Sequence, residues 1–328
     1  MKISIAMATW MGEKYLDAQL QSLLEQTRLP DELVVRDDGS TDQTPFMLQR
    51  FADAAPFPVR ILPSGSRLGY AKNFEAVLRQ ACGDLIFLSD QDDVWFPNRL
   101  ETVSRYATNH PDKLIFINDQ EIVHESLRPT GVTKLDNLRR SGVSTDRYIS
   151  GCATALRRSL QSFALPFPQG LRAHDQWLHE CGLWLKARML IDEPLQYYRR
   201  HGANASSMAI SEPRPTRWIT AQLHTLLNDT SQSYRQWLLI AEALRDRISG
   251  SAELVHQLCV ENPSILLQSI DLRIQSLQGR LRVLEAPWFS RPVQAMAFWS
   301  QGGYREFFGW RSMVNDLLNR SGGHGQGR

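Results

Sequence analysis

Up to about Asn118 the chain alternates short strand-like runs with stretches of helical period, and this alternation narrows the fold more than any other feature. The runs 2–8, 32–36, 59–62, 85–89 and 114–118 are each rich in Ile, Val, Leu or Phe and bounded by turn residues. Between them, Leu16, Leu20, Leu23 and Leu24 fall on one helical face, and Phe74, Val77, Leu78 and Ala81 repeat the device. Such alternation predicts right-handed βαβ units: an α/β fold with a Rossmann-like, mostly parallel sheet and helices on both faces.

In open α/β sheets ligands bind beyond the carboxyl ends of the strands. The polar residues of this chain stand there: Thr9 after the first run, Asp37-Asp38-Gly39-Ser40 after the second, Asp90-Gln91-Asp92-Asp93 after the fourth, and Asn118-Asp119 after the fifth. An Asp-rich turn by itself is an ordinary helix cap or Asx-turn. Asp90 and Asp92, however, are separated by one residue, so in extended backbone they point the same way and can share a divalent cation. Asp38 is placed to accept from a base N–H or a ribose hydroxyl. Neither GxxxxGK[ST] nor GxGxxG occurs, so phosphate neutralisation falls to a metal, which suits a nucleotide diphosphate on Mg2+ or Mn2+. Asp175 in "AHDQWL" and His201 in "RRHGANAS" add one candidate carboxylate and one candidate ligand; each alone reads as a cap or an ordinary polar residue.

Composition excludes several other classes. A formal net charge of +2 over 328 residues shows no global bias toward nucleic acid. The four cysteines form no CxxC, which argues against a zinc knuckle or a disulfide framework and for a reducing compartment. No run of about 18 apolar residues appears, and the N-terminus lacks a secretory apolar stretch, so a cytoplasmic protein is expected. "SEPRPTR" (211–217) looks like a boundary. It divides a first domain, 1–210, from a mostly helical C-terminal extension, 211–320, with 321–328 a disordered tail.

The ordered set "ATW", "DDGSTDQT", "RLGYAKNF", "LSDQDDVW", "SGCA", "HDQW" and "YRRHGANAS" resembles the family 2 glycosyltransferases of the GT-A fold, over residues 1 to 208. Bacterial rhamnosyltransferase-like members acting on surface polysaccharides are the nearest match. The resemblance implies that Thr9 and Asp38 hold a pyrimidine base and ribose. It puts Asp90 on the ribose or diphosphate, Asp92 on the metal, and Asp93 on the donor sugar or in support of the loop. Lys72 and Asn73 would face the donor, and His201 would be a late metal ligand or diphosphate contact. Asp175 matches the general base. The implied reaction is inverting transfer from a dTDP- or UDP-sugar, rhamnose among the candidates, to a glycan or lipid-linked glycan acceptor.

Some readings stay open. His174 is acceptor-side or structural; Trp95 opens a helix as a core residue or stacks on a sugar; Cys152 reads as a small buried residue. A sugar nucleotidyltransferase would carry a glycine-rich basic loop that "ATWMGEKYL" lacks, and a catalytically silent sugar-nucleotide-binding scaffold is the reading from another class. The aromatic and arginine-rich C-terminal third packs on the first domain, on a second copy of the chain, or peripherally on a membrane face.

Overall fold

Four parallel strands, β1 (Ile3–Thr9), β2 (Glu32–Asp37), β3 (Val59–Leu62) and β4 (Leu85–Ser89), form one half of the sheet in the computed structural model, in the spatial order β3-β2-β1-β4. Side chains on both faces of β1 and β4 are buried, as the near-continuous apolar runs require. The connecting helices α1 (Leu16–Leu24), α2 (Thr44–Ala54) and α3 (Tyr70–Gln80) carry the expected periodic leucines and aromatics inward.

The other half departs from a simple parallel series. After the short β5 (Val94–Trp95) and α4 (Arg99–Asn109), β6 (Ile115–His124) does not lie beside β4. The slot between them is filled by β8 (Thr154–Arg157), antiparallel to both. Beyond β6 come β9 (Arg188–Arg200), parallel to it, and β5 on the edge, antiparallel to β9; β7 (Pro129–Thr133) pairs separately with β6. The result is a GT-A α/β fold with a mixed, mostly parallel sheet. The β6–β9 register shifts around Asn118, Asp119 and Glu121, so both strands bend where they pass the site. Trp95 therefore belongs to a strand rather than opening a helix, and it is buried.

Three further helices complete this part: α5 (Lys134–Arg140), α6 (Arg158–Ala164) and α7 (His174–Trp184). α7 lies close on the sheet because Gly182 faces Ile115, leaving no space for a Cβ. The structure describes residues 1–202, 204, 211–215, 231–258, 261–307 and 309–318, and the chain divides into two compact units, Met1–Ala221 and Gln222–Arg328. The expected boundary at 210, part of the helical pattern after Trp218 and the 321–328 tail lie outside the described residues. The second unit is helical, with α8 (Ser231–Gly250), α9 (Ala252–Leu258), α10 (Pro263–Glu285), α11 (Arg291–Ser300) and α12 (Trp310–Leu318). No helix among the described residues is long and apolar enough to cross a membrane.

Candidate functional site

The carboxyl ends of β1, β2 and β4 deliver their polar residues to one rim of the sheet, where β9 and α7 add theirs. Asp37 organises the first turn. Its carboxylate accepts from Thr9 Oγ1 at 2.9 Å and from the backbone N–H groups of Gly39 and Ser40 at 3.1 and 2.7 Å. Gly39 adopts a φ of 83°, a left-handed conformation that glycine enters without strain. Asp38 is buried and paired with Arg36 at 2.7 Å, and it accepts from the N–H groups of Leu68 and Gly69, each at 2.8 Å. Burial opposes its charge, but these donors and the guanidinium prevail and hold its pKa below the usual range. Asn73, buried on α3, accepts from Arg36 and donates to the carbonyls of Arg36 and Thr9. The side chains of Thr9, Asp38 and Asn73 thus tie β1, β2 and α3 together. Lys72 points to Glu75, one turn along its own helix, at 2.6 Å.

The acidic turn after β4 separates into unequal parts. Gln91 brackets the Trp10 peptide, accepting from its N–H at 2.8 Å and donating to its carbonyl at 2.9 Å. Gly12 lies against it, so that a Cβ there would have to displace the Gln91 amide. Asp92 Oδ2 lies 2.8 Å from His201 Nε2, and Asn204 Nδ2 joins them at 3.4 Å. Tyr15 stacks on the His201 ring at 4.3 Å between centroids. Asp93 is buried and accepts from Gln196 Nε2 at 2.9 Å. Ligand atoms of Asp90, Asp93 and Cys152 lie within 4.8 Å of one another.

Burial first, then the neighbouring charges of Asp92, Asp93 and Asp175, push the Asp90 pKa well above the carboxylate range; burial and Asp92 push Asp93 up to about 6. Carboxylates crowded this way fit a divalent cation, whose charge relieves the repulsion. Within the crowd, oxygen and imidazole donors suit Mn2+ or Mg2+, whereas the Cys152 thiol is kept protonated by burial and by Asp93. Among the described residues the cluster close enough to share an ion is Asp90, Asp93 and Cys152, while Asp92 pairs with His201 beside it.

Asp175 sits in the first turn of α7, but the N-cap position is Ala173. Its Oδ1 accepts from the N–H of Gln176 at 2.8 Å, and its Oδ2 has no hydrogen bond among the described residues. His174 is fully buried, stacked on Phe74 at 3.8 Å and edge-on to Tyr70 at 4.7 Å, with neither ring nitrogen bonded; it packs structurally. Trp177 lies in the core, its indole N–H on the Ala164 carbonyl, and Trp95 lies under the Arg99 guanidinium at 3.8 Å; neither offers a sugar platform.

Several residues here receive no role from the sequence. Lys134, buried at the start of α5, places its ammonium 3.6 Å from the Tyr198 ring centroid and 3.2 Å from Ser150 Oγ, within electrostatic reach of Asp90, Asp93 and Asp175. Trp10, half-exposed at the end of β1, carries the Arg67 guanidinium over its ring at 3.8 Å. Trp10 and Asn204 were findable, in "ATW" and "HGAN".

Residues 4–162 match the family model for glycosyl transferase family 2. Over those residues the N-terminal unit is similar to glycosyltransferase family 2. Among curated relatives of the chain is UDP-Glc:alpha-D-GlcNAc-diphosphoundecaprenol beta-1,3-glucosyltransferase WfgD of Escherichia coli. It is 30% identical over 50% of the chain and 64% of that relative. The dTDP-rhamnosyl transferase RfbG of Shigella flexneri is 27% identical over 62% of the chain and 75% of its own length. Among solved structures, residues 1–349 of S. aureus TarS with UDP match with a TM-score of 0.51 at 20% identity, covering 97% of this chain and 89% of that one. A mannosyltransferase of Pyrobaculum calidifontis with GDP-Man and Mn2+ gives 0.51 at 14% identity, covering 97% and 86%. At these identities the structural likeness concerns the fold alone.

Proposed function

We propose that the protein is an inverting, metal-dependent glycosyltransferase that moves a sugar, rhamnose or another hexose, from a dTDP- or UDP-sugar to a hydroxyl of a surface glycan or lipid-linked glycan. The observation that carries this is the convergence of Asp175, whose Oδ2 accepts no hydrogen bond among the described residues, on the rim that holds Asp90, Asp92 and His201. The named donors of the curated relatives are both pyrimidine nucleotides, which favours a pyrimidine base here.

In this reading Asp92 and His201 hold Mn2+ or Mg2+, which when bound neutralises the diphosphate of the donor. The turn braced by Thr9, Asp37, Asp38 and Asn73 presents backbone groups to the base and ribose, with Asp38 keeping acceptor capacity on Oδ2. Lys72 flanks the donor from α3; Asp90 faces the ribose or diphosphate, and Asp93, anchored by Gln196, supports the loop. Asp175 Oδ2 takes the proton of the acceptor hydroxyl as that oxygen attacks the anomeric carbon and the nucleoside diphosphate departs. One base and one displacement invert the configuration.

Asp175→Asn should abolish transfer while donor binding persists, and Asp92→Ala should abolish metal-dependent nucleotide binding. Full transfer by either variant would sink the assignment. Thermal stabilisation by UDP-, dTDP- and GDP-sugars with and without Mn2+ tests the base: a preference for GDP-sugars contradicts the pyrimidine assignment. Release of free nucleoside diphosphate from the preferred donor separates an enzyme from a silent binder, which yields none.

A further inference from the structure

In the C-terminal unit, α11 and α12 pack on each other with their polarity reversed. The inward face of α12 is Ser312, Asn315 and Asp316, all buried. Asp316 receives Arg280 from α10 through Nη2 at 2.8 Å and Nε at 3.0 Å, and the Tyr304 hydroxyl at 3.0 Å. From α11 the buried Arg291 donates to the carbonyls of Leu284 and Ala286. The outward stripe of α12 is Trp310, Val314, Leu317 and Leu318, at i, i+4, i+7 and i+8, with Leu318 72% exposed. In water a helix turns such a stripe inward and leaves its carboxylate outside. Here the ion pair occupies the interior, although charges there are costly to desolvate.

α11 continues the pattern. Val293 and Met296 are exposed, and the turn that leads into the helix holds Trp288 and Phe289 at 82% and 69% exposure, edge to face at 6.2 Å. Two adjacent aromatics on a turn form a projecting tip, suited to entering a soft medium rather than matching a flat protein face. Across α11 and α12 the only exposed charge is Arg311; Asp316 and Arg291 are both buried. From Ala286 to the end of the chain the sequence holds five arginines against Glu306 and Asp316. Exposed Trp, Phe, Leu and Met with cationic neighbours and no exposed carboxylate on the helices match the headgroup region of an anionic bilayer.

We propose that α11, α12 and the Trp288–Phe289 turn form a membrane-docking surface that seats the protein in the interface of an anionic bilayer. The polar interior of Arg280, Asp316, Tyr304 and Arg291 holds the helices so that their apolar sides face the lipid. This inference stands on the second unit alone and is independent of the chemistry assigned to the first.

Flotation of the full chain with phosphatidylcholine vesicles, with and without phosphatidylglycerol, tests it. The wild type should float with the anionic vesicles and more weakly with the neutral ones. Trp288→Ser with Phe289→Ser should lower binding at least about ten-fold to both, with donor hydrolysis and circular dichroism unchanged. Arg311→Glu should weaken binding to the anionic vesicles selectively. The proposal is overturned if the wild type floats with neither composition, or if the double variant binds as the wild type does. It is equally overturned if the wild type is a dimer that the double variant dissolves into monomers while vesicles are ignored, since the surface then belongs to a second copy.

Discussion

Gln91 is the residue of the acidic turn that the sequence makes least conspicuous, yet it fixes the loop after β1 to the loop after β4 through both polar atoms of the Trp10 peptide. Replacing it with Glu keeps the acceptor and removes the donor, and sets a fourth carboxylate beside Asp90, Asp92 and Asp93. We expect Gln91→Glu to raise the donor KM about ten-fold, the loss of one bracketing hydrogen bond plus added repulsion, with a smaller change in kcat. Steady-state kinetics at saturating acceptor check it; an unchanged KM would show that the bracket does not shape the donor site. A second expectation concerns His201. In the proposed reading it lies against Asp92 and adds a nitrogen donor to the cation site, so His201→Ala should raise the Mn2+ concentration needed for half-maximal nucleotide binding by about ten-fold or more. Titration calorimetry of nucleoside diphosphate at several metal concentrations reads this directly. The aspartates could be located from sequence because strand ends are marked by the change from apolar run to turn. Lys134 could not, because its proximity to Asp90 and Asp175 arises only when α5 packs on β6 and the ammonium reaches the Tyr198 ring of β9, and nothing in its neighbours' sequence marks it.

At the scale of elements, the runs at 59–62 and 85–89 are strands with the expected bounds, and β1 and β2 each end within a residue or so of expectation. Local periodicity determines such strands. The place of β8 between β4 and β6 was not legible, because strand order is set by pairing between distant segments and carries no local mark. The first part of β6 was expected, at 114–118, but the short β5 and the continuation of β6 to His124 escaped for the same reason. α7 shows how an element carries the chemistry: Asp175 depends on how closely that helix approaches β6, and Gly182 sets the approach by facing the Cγ2 methyl of Ile115. Gly182→Ala would gain up to about 1 kcal/mol in helix propensity. The added methyl, however, meets a fully buried β-branched side chain that cannot rotate away, and such overpacking costs about 1–3 kcal/mol. Net destabilisation in urea, with a fall in kcat as Asp175 moves away from the rim, is the expected outcome; a more stable and fully active variant would mean that α7 shifts freely.

For the molecule as a whole, the buried histidines tie stability to pH. His179 Nδ1 accepts from Arg188 Nε at 3.2 Å, and its Nε2 lies 2.8 Å from Thr154 Oγ1, whose own proton is directed to the Ser150 carbonyl. Nε2 is therefore the donor, the ring is neutral, and burial followed by the Arg188 charge holds its pKa well below the ordinary value. Burial brings His174 from 6.5 down to about 4, with Asp175 opposing. The unfolded chain takes up a proton at 174 as pH falls through 6.5 while the folded chain refuses it until about 4, so stability contributed at neutral pH is lost on acidification within that window. Asp90 and Asp93, whose pKa values are raised, act with the opposite sign and would mask the loss in the wild type alone. His174→Leu isolates it, because both carboxylates remain in each protein and cancel in the difference. Neither imidazole nitrogen has a partner to lose, so the leucine variant should match or exceed the wild type at pH 7.5. Its advantage should then grow as pH falls, toward on the order of 3 kcal/mol near pH 4. Hydrogen exchange of the α7 and β8 amides, corrected for intrinsic rates and measured in chelator, reports this unit separately from the C-terminal helices. A pH-independent difference between the two proteins would show that His174 titrates alike in the folded and unfolded chains, and that the Phe74–Tyr70 stack does not keep it neutral.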